Sequence, residues 1–344
     1  MSFLLRGRVP FVALLAVVFA ALAALPAGAK VPGTNGQIAF TPHDLATGEP
    51  HTFIANPDGT HQQELSLPFP GENPTWSPGG NKLFVNVFRP DAPVRPATFN
   101  PDGSGFTVLD VPELPGETDM GCRAWSPDSS RLLCQVANFF GHNELDGVYT
   151  IRASDGGGLT RLTTNPFPPT GDFGGGDIPG DFSPDGSQFV FMRAKPGAGP
   201  VPDRNQSGAL FVENSDGTGL HQITPYGLAN SHDNGVARWS PDGKEILFAG
   251  IHEQFTGGLL YVVHADGTGL RKIPLQAGGS RSFAFTPGWS PDGSKIIFSL
   301  FTATGPGTAD EGIYTANADG SGLFQVTSGG GYDSADWGPY PLTP

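Results

Sequence analysis

Histidine next to a carboxylate is the arrangement in this sequence best suited to chemistry. The pairs are His43 with Asp44, His142 with Glu144, His232 with Asp233, and His252 with Glu253. Such neighbours can bind a transition metal or share a proton. Adjacent residues of a strand point to opposite sides, however, and the chain has neither an HExxH motif nor paired CxxC spacing. We therefore predict no metal and no cofactor. The residues that would supply metal ligands are His142, His232, Asp233 and His252.

Serine chemistry has less support. The chain contains no Gly-x-Ser-x-Gly motif, which is the turn that exposes a nucleophilic serine. Its recurrent serines lie between an aromatic residue and a proline, where a turn accounts for them. They are Ser77, Ser126, Ser183, Ser240 and Ser290. The sequence therefore predicts no catalytic residues.

A motif that recurs along the chain determines where any functional residue can lie. It reads Trp-Ser-Pro-Asp-Gly or a variant, and it begins at Trp76, Trp125, Phe182, Trp239, Trp289 and Trp337. The copies are 48 to 57 residues apart, which indicates a repeat protein. Proline presets φ, aspartate bonds its own backbone and glycine accepts positive φ, so the motif is typical of a tight turn.

Each repeat also contains a second turn, Asp-Gly, between two apolar segments. These turns begin at Asp58, Asp102, Asp155, Asp216, Asp266 and Asp319. Two turns in each unit predict four antiparallel strands. The first unit starts at Asn35 without its own aromatic strand, so the Trp337 strand should join it and close the ring. The sequence thus predicts an all-β, six-bladed β-propeller over residues 30–344 as a single domain.

These repeats resemble the TolB-like propellers, the WD40-like PD40 repeat family. The family unit runs from Trp-Ser-Pro-Asp-Gly through a short apolar strand, an Ile-Tyr strand and Asp-Gly to Leu-Thr. The resemblance covers residues 35–340 and is strongest from Trp239 to Gly267 and from Trp289 to Thr327. It implies an interaction at the cell envelope. TolB itself has an α/β domain before its propeller, and this chain leaves no room for one between Ala29 and Asn35.

The N-terminus resembles a signal peptide. Arg6 and Arg8 precede an apolar run from Phe11 to Leu25, and small residues follow up to Ala29. We expect cleavage after Ala29, so that residues 1–29 are removed. A retained anchor is the alternative, although the apolar run is short for a membrane span. The expected product is a soluble monomer that is secreted or periplasmic.

Charge excludes one class of partner. Cleavage would remove Arg6 and Arg8 and change the formal net charge from −14 to −16. A chain this acidic repels phosphate backbones, so we expect no nucleic-acid partner.

The two cysteines, Cys122 and Cys134, flank the turn that follows Trp125. If 127–129 form a three-residue hairpin loop, Ser126 faces Ser130 and Cys122 faces Cys134. This register permits a cross-strand disulfide, which export to an oxidising compartment favours. Two buried free thiols are the alternative.

The tight turns should all lie on one face of the ring, and the long loops on the other. The long loops are 41–52, 89–96, 139–147 and 193–208. Loops on a rigid scaffold usually carry recognition. Charged residues in or just before the aromatic strands should lie near the mouth of the central channel, which we expect to be mostly acidic. They are Glu72, Asp119, Arg123, Asp172, Asp177, Asp181, His232, Asp233, Arg238, Arg281, Asp333 and Asp336.

We therefore predict an exported, non-enzymatic binding module. Its loop-rich acidic face and channel mouth would bind an envelope protein, peptide or glycan. One alternative is a metal-assisted polysaccharide lyase or hydrolase with its site in the channel, which requires the candidate metal ligands to converge. Another is a structural domain whose inner strands are polar only because water fills the channel.

Overall fold

Six four-stranded antiparallel blades form a closed ring, as the repeat predicts. The computed structural model describes residues 33–44, 46–115, 118–137, 145–166, 176–196, 206–228, 237–251, 258–275, 282–305, 308–329 and 331–343. The predicted signal peptide lies outside these residues. Within them, no helix has the length and apolar character needed to cross a membrane.

The blades follow one another along the chain, each running from its innermost to its outermost strand. Blade 1 contains β1 (Ile38–Pro42), β2 (Phe53–Ala55) and β3 (Gln63–Glu64), with β24 (Tyr332–Trp337) as its inner strand. Blade 2 contains β4 (Gly71–Trp76), β5 (Leu83–Arg89), β6 (Ala92–Phe99) and β7 (Thr107–Val108). Blade 3 contains β8 (Asp119–Trp125), β9 (Arg131–Ala137), β10 (Gly147–Arg152) and β11 (Thr160–Arg161).

The remaining blades repeat this plan. Blade 4 contains β12 (Asp177–Phe182), β13 (Gln188–Pro196), β14 (Gln206–Asn214) and β15 (His221–Gln222). Blade 5 contains β16 (Arg238–Trp239), β17 (Glu245–Ile251), β18 (Gly258–His264) and β19 (Arg271–Lys272). Blade 6 contains β20 (Ser282–Trp289), β21 (Lys295–Gly305), β22 (Thr308–Asn317) and β23 (Phe324–Gln325).

The hydrophobic core is divided among the interfaces between blades. Each interface has its own cluster of buried side chains, and each cluster contains the aromatic residue of one repeat motif. Between blades 2 and 3, for example, Phe84 packs against Trp125 with ring centroids 5.7 Å apart. The Trp125 indole also donates to the Thr75 carbonyl of blade 2 at 3.1 Å. The motif therefore recurs once in each blade because each blade must pack on its neighbour.

Closure of the ring occurs at Trp337, as predicted. Strand β24 pairs with β1, and Trp337 lies opposite Ile38. The Trp337 indole donates to the Gly36 carbonyl at 2.9 Å. The chain then continues past blade 1, where the Asn56 side-chain amide pairs with the backbone of Thr343 at 2.9 and 3.0 Å. The two ends of the chain are thus joined by one strand and a short tail.

The register around the cysteines differs from the prediction in two places. The loop after Trp125 is one residue longer than expected, because the Ser126 amide donates to the Arg131 carbonyl rather than facing Ser130. A β-bulge between Cys122 and Ala124 then shifts the pairing back, so that Cys122 does lie opposite Cys134. The structure joins these two cysteines in a disulfide. The two differences cancel at the cysteines, and the bulged residue is Arg123.

The aspartates of both turn types serve the turns themselves. In the first type, Ser183 donates its hydroxyl to Asp185 at 2.7 Å, and the Ser187 amide donates to the same carboxylate at 3.0 Å. In the second, the Thr218 hydroxyl and amide donate to Asp216 at 2.6 and 3.0 Å. The prediction that these residues are turn formers is confirmed. Hydrogen bonds to the ionised form lower the pKa of both carboxyl groups.

Acid should therefore weaken the fold through these turns. Five second turns share one pattern, in which the side-chain and backbone hydrogen bonds of a threonine or serine lower the aspartate pKa. They contain Asp58, Asp102, Asp216, Asp266 and Asp319. Because the folded-state pKa lies below the unfolded value of about 3.9, the unfolded chain takes up protons first. This contribution to stability is present above that pH and is lost as the pH falls through the folded-state pKa.

Urea unfolding between pH 7 and pH 3 measures this effect. We expect the free energy of unfolding to change little down to about pH 5 and to fall steeply below about pH 4. Asp216→Asn should reduce that slope. Asp91→Asn is the matched control, because the Asp91 carboxylate makes no hydrogen bond or ion pair within the described residues. Equal slopes for both variants and the wild type would contradict the assignment.

One predicted loop is wrong. Residues 89–96 lie mainly in strands β5 and β6, which pair as far as Arg89 opposite Ala92. The connection is only Pro90 and Asp91, and Asp91 adopts a φ of 55°. The predicted loop 193–208 is also partly strand, since β13 and β14 pair out to Pro196 and Gln206. Parts of the predicted loops 41–52, 139–147 and 193–208 lie outside the described residues.

Candidate functional site

The inner strand of each blade lines the central channel. These strands contact one another around the ring, and each ends at its aromatic residue. They begin on the side that carries the hairpin tips, such as Pro90 and Asp91, which we call the loop-rich face. They end on the side of the Trp-Ser-Pro turns, the tight-turn face. The predicted charged residues therefore lie at two levels along the axis.

Asp177, at the loop-rich end of β12, is not a mouth residue. It is fully buried and takes two hydrogen bonds from Arg193 on β13, at 2.8 and 2.7 Å. The Arg193 guanidinium also lies over the rings of Phe191 and Phe211, 5.1 and 5.3 Å from their centroids. Asp177 therefore belongs to a buried ion pair within blade 4, and its predicted place at an open mouth is wrong.

Asp119 and Glu72 lie at the same level. Asp119 accepts the Val94 amide at 2.8 Å, so it joins the start of blade 3 to the hairpin of blade 2. Glu72 lies 3.8 Å from the His43 ring and is 28% exposed. Of these two, Glu72 is the residue that keeps an accessible carboxylate near the mouth.

Arginines connect several blades near the tight-turn end of the channel. Arg123, placed in the β8 bulge, donates to the Asn73 side chain of blade 2 at 2.8 Å. Arg238 donates to the carbonyls of Arg123 and Gly180 at 2.7 and 3.2 Å, so it reaches blades 3 and 4 from blade 5. Burial and the nearby charge of Arg238 together lower the pKa of Arg123 to about 10, against the opposing charge of Glu72. This end of the channel carries both signs of charge rather than mainly negative charge.

A narrow cavity opens on the axis at the tight-turn face. We call it the axial cavity. It is lined by the polar residues Thr75, Asp181, Arg238, Ser240 and Asp336 and by aromatic or other apolar residues that include Trp76, Trp125, Phe182 and Trp239. Asp336 accepts the Trp76 backbone amide at 2.9 Å and is nearly fully buried. The long loops, in contrast, predict recognition on the opposite face.

Two of the tryptophans that line the axial cavity lack the carbonyl acceptor that the indoles of Trp125 and Trp289 have. Trp125 and Trp289 donate to the backbone carbonyls of Thr75 and Arg238 in the preceding blades, at 3.1 and 3.2 Å. The indole nitrogens of Trp76 and Trp239 are buried without a hydrogen-bond partner in the described part of the chain. A buried donor left unpaired costs about 1–3 kcal/mol. The repeat motif predicts the same packing role for each of its tryptophans, and nothing in it distinguishes Trp76 and Trp239 from the others.

Nearly half of the predicted metal and channel-mouth residues fall in parts of the chain that the structure does not describe. His142, Asp172, His232, Asp233, His252 and Arg281 lie outside the described residues. Asp333 lies in β24 at a register shift, between Tyr332 opposite Pro42 and Ser334 opposite Thr41. The described residues contain no group of three or more His, Cys, Asp or Glu that could hold a metal ion. All four candidate metal ligands lie outside the described residues, so the alternative function that requires them to converge stays an untested alternative.

No protein-family model matches the chain. Among solved structures, TolB from Acinetobacter baumannii superposes with a TM-score of 0.61 at 17% identity, covering 88% of this chain and 66% of that one. A putative TolB from Agrobacterium tumefaciens gives 0.56 at 18% identity, covering 88% of this chain and 92% of that one. The chain has the fold of the TolB-like propellers. Hydrazine synthase from Kuenenia stuttgartiensis is similar at 0.63 and 14% identity, covering 93% of this chain and 50% of that one.

The chain spans about two thirds of the length of the Acinetobacter TolB and half of the hydrazine synthase. At these identities the likeness concerns the fold.

This TolB-like propeller is irregular where its ends meet. In blade 2, Phe84 covers the tryptophan of the next blade, whereas the residue at the corresponding place in blade 1 is Ala39. Tyr340 of the tail packs in the same cluster and stacks on Trp76, with ring centroids 5.4 Å apart. The tail therefore packs against Trp76, which is one of the residues that line the axial cavity.

Proposed function

We propose that this protein is an exported, non-enzymatic binding module whose axial cavity takes a peptide segment of a cell-envelope protein. The observation that carries the proposal is that Trp76 and Trp239, two tryptophans whose buried indole donors lack a partner among the described residues, line one cavity with Arg238. Buried polar groups are normally paired, so exceptions that share a cavity mark a place where a ligand supplies the acceptors.

A peptide suits this cavity better than a compact molecule does. An extended chain presents a carbonyl acceptor at every residue, and the cavity is narrow and lies on the ring axis. Arg238 gives the wall one cationic group, and Asp181 and Asp336 give it two anionic groups, which would fix the direction of the bound chain. Export is proposed from the N-terminal segment alone, and the envelope partner from the resemblance to TolB-like propellers.

Capture from a cell-envelope extract tests the proposal. The immobilised protein should retain a defined envelope protein, Arg238→Gln should retain at least about tenfold less, and Arg271→Gln should match the wild type. Arg271 is the control because it is an exposed arginine paired with Glu245 at 2.6 Å, away from the axial cavity. The melting temperature of each variant shows whether the fold is intact.

Overlapping peptides of the retained protein then identify the segment by titration. Because Trp76 and Trp239 line the cavity, the active peptide should shift the tryptophan emission of the wild type and fail to do so with Arg238→Gln. Equal capture by the wild type and a folded Arg238→Gln variant would refute the proposal. So would a retained protein none of whose peptides changes the emission.

A further inference from the structure

A second groove lies on the tight-turn face, between blades 2 and 3 and away from the axis. Its volume is about 1250 Å³, counting its open side. Three cations line it, Lys82, Arg131 and Arg152, and none of its lining residues is a carboxylate. The whole chain has 33 acidic residues against 19 Lys and Arg, so a groove of this composition is unusual in this protein. We call it the basic groove.

Two of these cations have donors to spare. The Lys82 ammonium makes no hydrogen bond or ion pair within the described residues. Arg131 is fixed in place, since its Nε donates to the Thr150 hydroxyl at 2.9 Å and its Nη2 to the Gly158 carbonyl at 2.6 Å. This leaves its Nη1 without a hydrogen bond among the described residues. Arg152, by contrast, is held by Asp155 at 3.0 Å. Lys82 and Arg131 are therefore the groups available to an anion.

The neutral part of the lining is rich in hydroxyl groups. They belong to Ser77, Thr98, Thr107, Ser129, Ser130 and Ser154. Three of them already donate within their own turns: Ser77 to Asn81, Thr107 to Gly105 and Ser130 to Asp128, so these three are left mainly as acceptors. Side-chain hydroxyls both donate and accept hydrogen bonds, as the hydroxyls of a sugar do. The groove therefore offers charge to an anion and hydrogen bonds to a polyhydroxylated one.

A peptide fits this groove less well than a glycan. The walls are closed turns whose backbone amides are already used: Ser77 donates to Lys82, Gly80 to Ser77, and Ser129 to Ser126. The strand edge in the lining is that of β7, the outer strand of blade 2, and its two residues are too few to pair with an extended peptide in the way that sheet edges usually bind one. Recognition must come from the cations and hydroxyls.

We propose that the basic groove binds an acidic oligosaccharide. Lys82 and Arg131 take carboxylates of its sugar acids, and the hydroxyl side chains take its hydroxyl groups. This site is separate from the axial cavity, and it does not depend on the function proposed there. It also gives an acidic protein a place to hold an acidic polymer that the rest of its surface repels.

Calorimetric titration with tetragalacturonate, using the full chain, tests the proposal. Maltotetraose is the uncharged control ligand, and tetraglutamate is the control for charge without sugar. We expect tetragalacturonate to bind in a salt-dependent manner and the two controls to bind at least about tenfold more weakly. Lys82→Glu should weaken binding of tetragalacturonate by at least about tenfold.

Lys244→Glu is the matched control variant, because Lys244 is an exposed lysine of an equivalent turn in blade 5. It should leave the affinity within about twofold of the wild type. Arg238→Gln should also leave it unchanged, which separates failure here from failure of the axial site. Equal affinity for maltotetraose, tighter binding of tetraglutamate, no binding of tetragalacturonate, or equal effects of Lys82→Glu and Lys244→Glu would each overturn the proposal.

Discussion

Replacing Asp177 with alanine is expected to lower the free energy of unfolding by about 3–5 kcal/mol, although Asp177 lines neither the axial cavity nor the basic groove. The Asp177 side chain is fully buried, and that of Arg193 is 7% exposed. Removing the carboxylate leaves a buried guanidinium that has lost both of its closest hydrogen bonds. The stacking of Arg193 on Phe191 and Phe211 then holds the unpaired charge in place.

Removing Arg193 instead of Asp177 should also be costly, because other buried groups near Arg193 depend on its charge. Burial raises the pKa of Glu213 on β14, and the charge of Arg193 opposes that shift. Burial likewise raises the pKa of Tyr226, which Arg193 also opposes. Arg193→Met would remove the only cation that favours the ionised form of Glu213 in these interactions. We therefore expect Arg193→Met to destabilise the fold at least as strongly as Asp177→Ala.

Urea unfolding at neutral pH measures these changes against an exposed ion pair. Lys244 and Asp242 lie 2.9 Å apart with side chains 77% and 54% exposed, so Lys244→Ala should cost far less stability than Asp177→Ala. The double variant Asp177→Leu with Arg193→Met should lose less stability than the two single variants added together, since it leaves no buried charge unpaired. A loss below about 1 kcal/mol for Asp177→Ala would show that the pair is not buried in solution.

The architecture could be predicted from the sequence because the turns are local. In the turn after Phe182, for example, Ser183, Asp185 and Gly186 hydrogen-bond within a few residues, so the chemistry of the turn is visible in the sequence. Counting two such turns in each repeat gives four strands, and the missing first strand identifies Trp337 as the closure. These inferences need no knowledge of which residues meet across the ring.

The candidate site was harder to predict because β-bulges redirect the inner strands. One extra residue between Cys122 and Ala124 brings Arg123 toward the channel, and the side chain of Asn86 pairs with the Cys122 backbone at 2.7 and 3.0 Å. No turn motif marks such a bulge. The cysteine pairing was expected on a register that was wrong at the turn and right at the cysteines only because this bulge compensates.

The same limit applies to the axial cavity. The motif predicts a tryptophan in each of five copies, yet only the packed ring determines which indoles reach a carbonyl of the preceding blade. Trp125 does, and Trp76 and Trp239 do not. A repeat read from sequence alone makes its copies equivalent, whereas recognition depends on how the copies differ. Asp177 illustrates the opposite case: its place in an inner strand suggests a channel residue, but its carboxylate pairs with Arg193 within its own blade.

Removing the Trp337 side chain should destabilise the protein by about 3–5 kcal/mol, because it affects both the core and the closure of the ring. Trp337 is 2% exposed and packs with Ile38, Phe40 and Ile297, which belong to blades 1 and 6. Its indole also holds the Gly36 carbonyl at 2.9 Å. Trp337→Ala therefore opens a cavity and releases the strand that joins the two ends of the chain.

Leu342→Ala is the control within the same segment, since Leu342 is 49% exposed and its loss should change stability by less than about 0.5 kcal/mol. Hydrogen exchange distinguishes a local from a global effect. Because β24 closes the ring, Trp337→Ala should speed amide exchange in β1 and β2 more than in β13 and β14 of blade 4, which lie across the ring. An equal increase of the exchange rate in all blades would mean that the ring unfolds as a single cooperative unit. Equal stability losses for Trp337→Ala and Leu342→Ala would mean that the closure contributes little, and that the interfaces between the other blades hold the propeller together.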